Sequence, residues 1–338
     1  MSSDPDPLSA EEAASAVSTG DLPDRERVAG LIERAHSRYA GVDDGKVADY
    51  IPSLGSADPA LFGICVVSVR GEHAMTGDAL HEFSIQSISK AFVFALVTEA
   101  LGHDEVWREV GVNNTGLPFN SVMALELNDG HPMNPMVNAG AMATTALAPG
   151  STAEEKWAFI LGGLSAFAGR DLVVDDAVYA SESATNQRNQ AIARLLQSYG
   201  RMSFDPLAAT DVYTRQCSIL VSAKDLAVMA ATLGDGGVNP MTGQRVVSAE
   251  VARDTLAVMA ACGLYEMSGD WLYEVGMPGK SGVSGGIITV SPGKGGMATF
   301  SPRLDAAGNS VRGQQATRYL SKALGLNLFA SNPVHAPV

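Results

Sequence analysis

Ser87 and Lys90 stand three positions apart in FSIQSISKAFVFALV (residues 83–97), where every residue from Ile88 onward is apolar except Ser89 and Lys90 themselves. A stretch apolar on all sides and long enough for about three helical turns belongs to a buried helix. Helical spacing sets Lys90 one turn from Ser87, on a face shared with Val93 and Phe94. An ammonium group in that setting loses hydration, which disfavours its charged form and lowers its pKa. A neutral amine one turn from a hydroxyl can accept that hydroxyl's proton, and free N–H groups near a helix start favour developing negative charge. The pattern predicts an activated serine nucleophile with a lysine base.

The spacing alone carries little weight. With 30 serines and seven lysines in 338 residues, a serine three positions before a lysine arises by chance about 0.6 times. The other instance, Ser291 and Lys294, lies in a Pro-Gly turn that cannot hold both side chains on one helical face. The ordinary alternative for Lys90 is a stem laid along apolar surface with its head reaching water. Lys280-Ser281-Gly282, within MPGKSGVSGGIITV, strengthens the catalytic reading. A second cation beside Lys90 depresses its pKa further, and the glycines let backbone N–H groups approach a substrate. A Ser-x-x-Lys helix start with a later Lys-Ser/Thr-Gly strand is the arrangement of penicillin-recognising acyl-serine enzymes. A phosphate-loop reading of GMPGKS fails, because Glu274 stands where that loop needs glycine and a strand follows it.

These groups must be carried by a scaffold. A helix is predicted through RERVAGLIERAHSRYA, ending near Gly41, then a strand at LFGICVVSV (61–69) and, past an Arg70-Gly71 turn, a second strand around HAMTG. Helices follow through WAFILGGLSAFAG with Ser151-Thr152 and Glu155 as its start signal, through NQAIARLLQSYG, through SAKDLAVMAATLG, and through VARDTLAVMAACG with Gly263 as its cap. Strands return at WLYEVGM, GGIITVSPG and GMATFSP, and RGQQATRYLSKALG closes the chain as a helix. Strands at both ends around a helical middle predict an α+β fold with one antiparallel sheet. The expected division is a flexible acidic extension over residues 1–22, one domain over 23–328 and a tail over 329–338. Within that domain a sheet lobe (23–80 plus 268–328) flanks a helical lobe (81–267).

Composition narrows the partners. A formal charge of −14 argues against nucleic acid, which requires a basic face. Cys65, Cys217 and Cys262 are far apart in apolar contexts and read as buried, inert thiols. The N-terminus lacks the pattern of a secretory signal and no run approaches the ~18 apolar residues of a membrane span, so a cytoplasmic protein is expected.

Seven ordered blocks carry a resemblance. GKVADYIPSL (45–54), FSIQSISKAF (83–92), NPMVNAGA (134–141), SESATNQRN (181–189), YTRQCSI (213–219), CGLYEMSG (262–269) and KSGVSGGI (280–287) are similar to the serine-dependent glutaminase family. The resemblance implies a β-lactamase/transpeptidase-like fold and hydrolysis of L-glutamine to L-glutamate and ammonia, with neither metal nor organic cofactor. It makes Ser87 the nucleophile and Lys90 its base, and assigns Tyr50, Asn138, Glu182, Asn189, Tyr213, Tyr265 and Val283 to the substrate pocket, Val283 through its N–H. Lys280 and Tyr265 join the catalytic set, and a homodimer or homotetramer is implied. Without the resemblance, Glu182 would be a helix N-terminal acid, Asn189 a surface amide, Asn138 a turn residue, and the tyrosines packing aromatics. A free amino acid needs an acid for its ammonium and neutral donors for its carboxylate, and Glu182 with the Asn and Tyr side chains meets both needs. The competing readings are a catalytically silent glutamine-binding regulator and a β-lactamase or carboxypeptidase.

Overall fold

The computed structural model describes residues 21–331. Nearly all of the expected acidic extension, and the tail beyond residue 331, lie outside them. Strands β1 (Gly63–Ser68) and β2 (His73–Gly77) pair with β5 (Gly279–Ser281), β6 (Gly286–Ser291) and β7 (Gly295–Phe300) in one antiparallel sheet of order β2-β1-β7-β6-β5. The two ends of the chain therefore meet between β1 and β7, as expected for the α+β fold.

Both faces of the sheet are covered, so the strands are apolar almost throughout rather than alternating. On one face Ile64, Val66, Ile287 and Met297 pack against Leu31, Ile32 and Ala35 of α1 (Arg25–Tyr39) and against the closing helix, which carries Ala316 and Leu320. On the other, Cys65, Val67, Ile288, Val290 and Ala298 join the main core, which includes Leu226, Ala227 and Ala230 of the helix Ala223–Gly234. That helix and Ala153–Ala168 both begin with capping boxes, Ser222 with Asp225 and Thr152 with Glu155, as the sequence signals predict.

The helical middle surrounds α2 (Ser89–Leu101), whose residues from Ser89 to Thr98 are all buried. Helices Asn138–Leu147, Ala153–Ala168 and Ala249–Cys262 pack around it, which is why it has no polar face. A short pairing of β3 (Phe83–Ser84) with β4 (Leu220–Val221), Phe83 opposite Val221 and Ser84 opposite Leu220, fixes the chain just before the turn that carries Ser87.

One expected strand is a helix. WLYEVGM lies in the helix Ser268–Glu274 and the turn after it. Trp271 and Val275, four apart, are buried while Tyr273 between them is exposed, and the Trp271 indole donates to Met277 O at 2.9 Å. Those apolar positions obey a helical period that a seven-residue stretch also lets pass as strand. Gly263 does end its helix, but at φ −77° it is not a left-handed cap. A Cβ there would lie 1.8 Å from Gly279 O, so the glycine lets this helix end press against β5.

Candidate active site

The site forms where α2 begins, against the sheet edge at β5. Ser87 occupies a 3-10 turn, Gln86–Ile88, just before α2. The residue before it, Gln86, is left-handed at φ 51°, an uncommon state for a residue with a side chain. Ser89 holds this turn by donating its hydroxyl to Gln86 O at 2.8 Å, and buried Gln216 donates to the Ser89 hydroxyl at 3.0 Å. The nucleophile candidate thus stands on a strained turn locked from beneath.

Lys90 is 1% exposed. Burial pushes its pKa down to about 8, only partly opposed by Cys217. Among the described residues its Nζ donates to Met136 O at 3.2 Å and Asn138 Oδ1 at 2.7 Å, not to Ser87. The Tyr265 phenol lies close enough to Ser87 to interact with it. Tyr265 donates its one proton to Ser281 O at 3.2 Å. Burial raises the Tyr265 pKa to about 12, so it stays protonated at neutral pH. Tyr265 is itself left-handed, at φ 57°, giving the site strained backbone on both sides of Ser87.

Lys280 on β5 is fully buried and donates to Ser281 O at 2.6 Å, with its amine 4.4 Å from the centre of the Tyr265 ring. Burial and, secondly, Lys90 hold its pKa well below the ordinary lysine value. The Val283 N–H, just past β5, meets no acceptor among the described residues, which leaves it free for an oxyanion.

Across from these groups lie the polar residues of the pocket. Asn138 opens the helix Asn138–Leu147 and donates its amide to Asn189 Oδ1 at 2.9 Å. Tyr213, 3% exposed, donates to Asn138 Oδ1 at 3.5 Å. Glu182, in the second half of the helix Asp176–Thr185, accepts a hydrogen bond from Gln86 Nε2. Burial raises its pKa to about 7 against the opposing pull of Gln86. Tyr50 stands at the mouth, 59% exposed, with its phenol end near enough to Tyr265 and Glu182 to feel both. A groove of about 600 Å³ runs past it, lined by Asp49, Tyr50, Phe119, Val283 and Gly308. A hollow of about 610 Å³ beside Trp107 and His131 contains none of the site residues.

Three contributors escape a reading of residue types. Gln86 orients Glu182; Phe119 packs tilted against Tyr265 with ring centres 4.7 Å apart; Met136 offers only a backbone carbonyl. Gln86 was visible inside QSISK, but neither its left-handed backbone nor a carbonyl acceptor leaves a mark in sequence. Cys217 is less remote than its apolar context implies, since it lies near enough to Glu182, Lys90, Tyr213 and Ser89 to feel all four.

The relationship to known proteins agrees with this geometry. A sequence model described as Glutaminase matches residues 45–329. The chain belongs to the glutaminase family. It is 55% identical over 317 residues to Glutaminase 2 of Yersinia pestis, covering 94% of this glutaminase and 93% of that one. It is 51% identical over 300 residues to the Glutaminase of Brucella canis, covering 89% and 95%. The solved structure of a probable glutaminase, ybaS, superposes with a TM-score of 0.90 at 45% identity, over 91% of this chain and 100% of that one. Mglu in its tris and glutamate form superposes with a TM-score of 0.87 at 39% identity, over 92% and 69%.

Proposed function

We propose that this glutaminase hydrolyses L-glutamine to L-glutamate and ammonia through a glutamyl ester on Ser87. The observation that carries the assignment of the site is the dry Lys90 amine, one helical turn from a hydroxyl on a strained turn; burial lowers its pKa to about 8. At pH 7 roughly a tenth of such amines are neutral and able to take a proton. In the proposed sequence Ser87 Oγ forms a bond to the side-chain amide carbon while its proton passes to Lys90. The N–H groups of Ser87 and Val283 hold the oxyanion, each worth about 3 kcal/mol. As the carbon–nitrogen bond breaks, the Tyr265 phenol supplies the proton that lets nitrogen leave as ammonia. Lys90 then passes its proton to the Tyr265 phenolate; water attacks the ester carbon as it gives one proton to Lys90, and Ser87 Oγ leaves that carbon taking this proton back, releasing glutamate. Burial first, and the Lys90 charge second, lower the proton affinity of Lys280. Glu182 receives the substrate ammonium, while Asn138, Asn189, Tyr213 and Tyr50 surround its carboxylate.

The test is ammonia release from glutamine, asparagine and a glutaminyl peptide, with variants beside the parent. Ser87→Ala should abolish release and still gain thermal stability from glutamine. Lys90→Arg should be nearly as inactive, since a guanidinium does not give up its proton. Near-normal turnover by Ser87→Ala would overturn the assignment. A homodimer or homotetramer is part of the proposal, supported by the exposed apolar side chains of Trp107, Met123 and Leu127, and sedimentation tests it. So is a cytoplasmic location; among the described residues no helix is long and apolar enough to cross a membrane.

A further inference from the structure

Asn134 is fully buried and does not border the pocket groove, yet both hydrogen bonds to its side-chain oxygen lead toward Lys90. Its Nδ2 donates to Asn113 O at 2.7 Å. Its Oδ1 accepts from Met136 N at 2.9 Å and from Val137 N at 3.2 Å. The carbonyl of that same Met136 receives Lys90 Nζ, and the next acceptor of Lys90, Asn138 Oδ1, lies two residues on. The first turn of the helix Asn138–Leu147 presses on Asn134 as well, because a Cβ at Gly140 would lie 1.8 Å from Asn134 O. A second strap is tied in where Asn113 N donates to Met133 O at 2.8 Å. We propose that Asn134 is a positioning residue for the reaction, holding the Met136 carbonyl and the Asn138 side chain at the spacing that fixes the Lys90 amine. The inference rests on the role proposed for Lys90.

The two acceptors lie two residues apart on one segment, so a small rotation of 134–138 changes both distances at once. Loss of the Oδ1 acceptor leaves the buried Met136 N–H and the part-buried Val137 N–H unpaired, which forces such a rotation or admits water. Either outcome moves the amine relative to Ser87 and changes its hydration. The other groups facing Lys90 are Lys280 from β5 and Cys217 and Tyr213 from the helix Pro206–Cys217, with Glu182 and Tyr265 beyond them.

The experiment measures kcat and KM for glutamine from pH 6 to 9.5 in Asn134→Ala and Asn134→Ser, with thermal unfolding alongside and Lys90→Met as control. Serine can restore a local turn acceptor but not the bond to Asn113. Asn134→Ala is expected to lose kcat by about 10²-fold, as a displacement near 1 Å can cause. Its KM should change by less than about threefold, since Asn134 touches no substrate. The pH midpoint assigned to Lys90 should move, and Asn134→Ser should fall between Ala and parent in both respects. A purely structural role would lower the unfolding temperature while kcat and the midpoint stay at parental values; that result overturns the inference. Should Asn134→Ala fail to fold, Asn134→Ser decides by the same two readouts. Full activity in Lys90→Met would instead overturn the proposed role of Lys90, which separates the two failures.

Discussion

At the scale of single residues, two side chains in this pocket carry opposite distortions with one cause. Burial disfavours charge, so the Glu182 carboxyl rises to about 7 and the Lys90 amine falls to about 8. Both must be deprotonated for the proposed cycle, Glu182 to pair with the substrate ammonium and Lys90 to take a proton. The pH profile of kcat/KM should therefore climb from pH 6 to 9 through two deprotonations, with midpoints near 7 and 8. Glu182→Gln should remove the lower midpoint, keep the upper one, and raise KM by about thirtyfold or more, because a buried charge loses its partner. A Glu182→Gln profile that keeps both midpoints would exclude the carboxylate from this role. Ser87, Lys90 and Lys280 could be chosen by physical argument from the sequence. Glu182, Asn138, Asn189 and the tyrosines could be chosen only by resemblance, since an isolated polar residue on a helix has no chemistry until its neighbours are known.

At the scale of elements, the site depends on how closely a helix end can approach β5, which carries Lys280. Gly263 makes that approach possible, with Gly279 O only 1.8 Å from where a Cβ would be. Gly263→Ala should separate the helix Ala249–Cys262 from β5 and destabilise the fold by at least ~2 kcal/mol, as overpacking against backbone does. Urea unfolding would show it, and an unchanged midpoint would mean the two elements are free to part. Capping signals, buried strands and the largely apolar α2 were legible in sequence because each depends on local chemistry or a clear period. WLYEVGM was misread because seven residues with Trp271 and Val275 apolar fit both periods. The position of Gly263 was readable, but its reason was not: the contact that requires glycine is with a strand 16 residues further on.

At the scale of the whole molecule, buried ionisable groups set an unusual alkaline response. Lys90 is deprotonated from about 8 in the folded chain but only near 10.5 when unfolded. In that window the unfolded state binds more protons, so raising the pH favours the fold. Cys65, Cys217 and Cys262 work the other way, because burial raises each from 9.0 to about 12. Above pH 9 the unfolded thiols ionise while the buried ones do not, and each thiol removes about 1.4 kcal/mol of stability per pH unit. Buried Tyr213 and Tyr265 add to that loss at higher pH. The urea midpoint should rise between pH 8 and 9 and fall steeply above 10. A steady decline from pH 8 would mean the lysines are charged inside the folded protein.

That last quantity can be read without inference. With 13C at the lysine Cε positions and Lys90→Met to identify its signal among seven, the Lys90 resonance can be followed by NMR through alkaline titration of the resting enzyme. The expected midpoint is near 8. A Lys90 signal that stays that of a cation until about pH 10.5, the ordinary range of an exposed lysine, would contradict it.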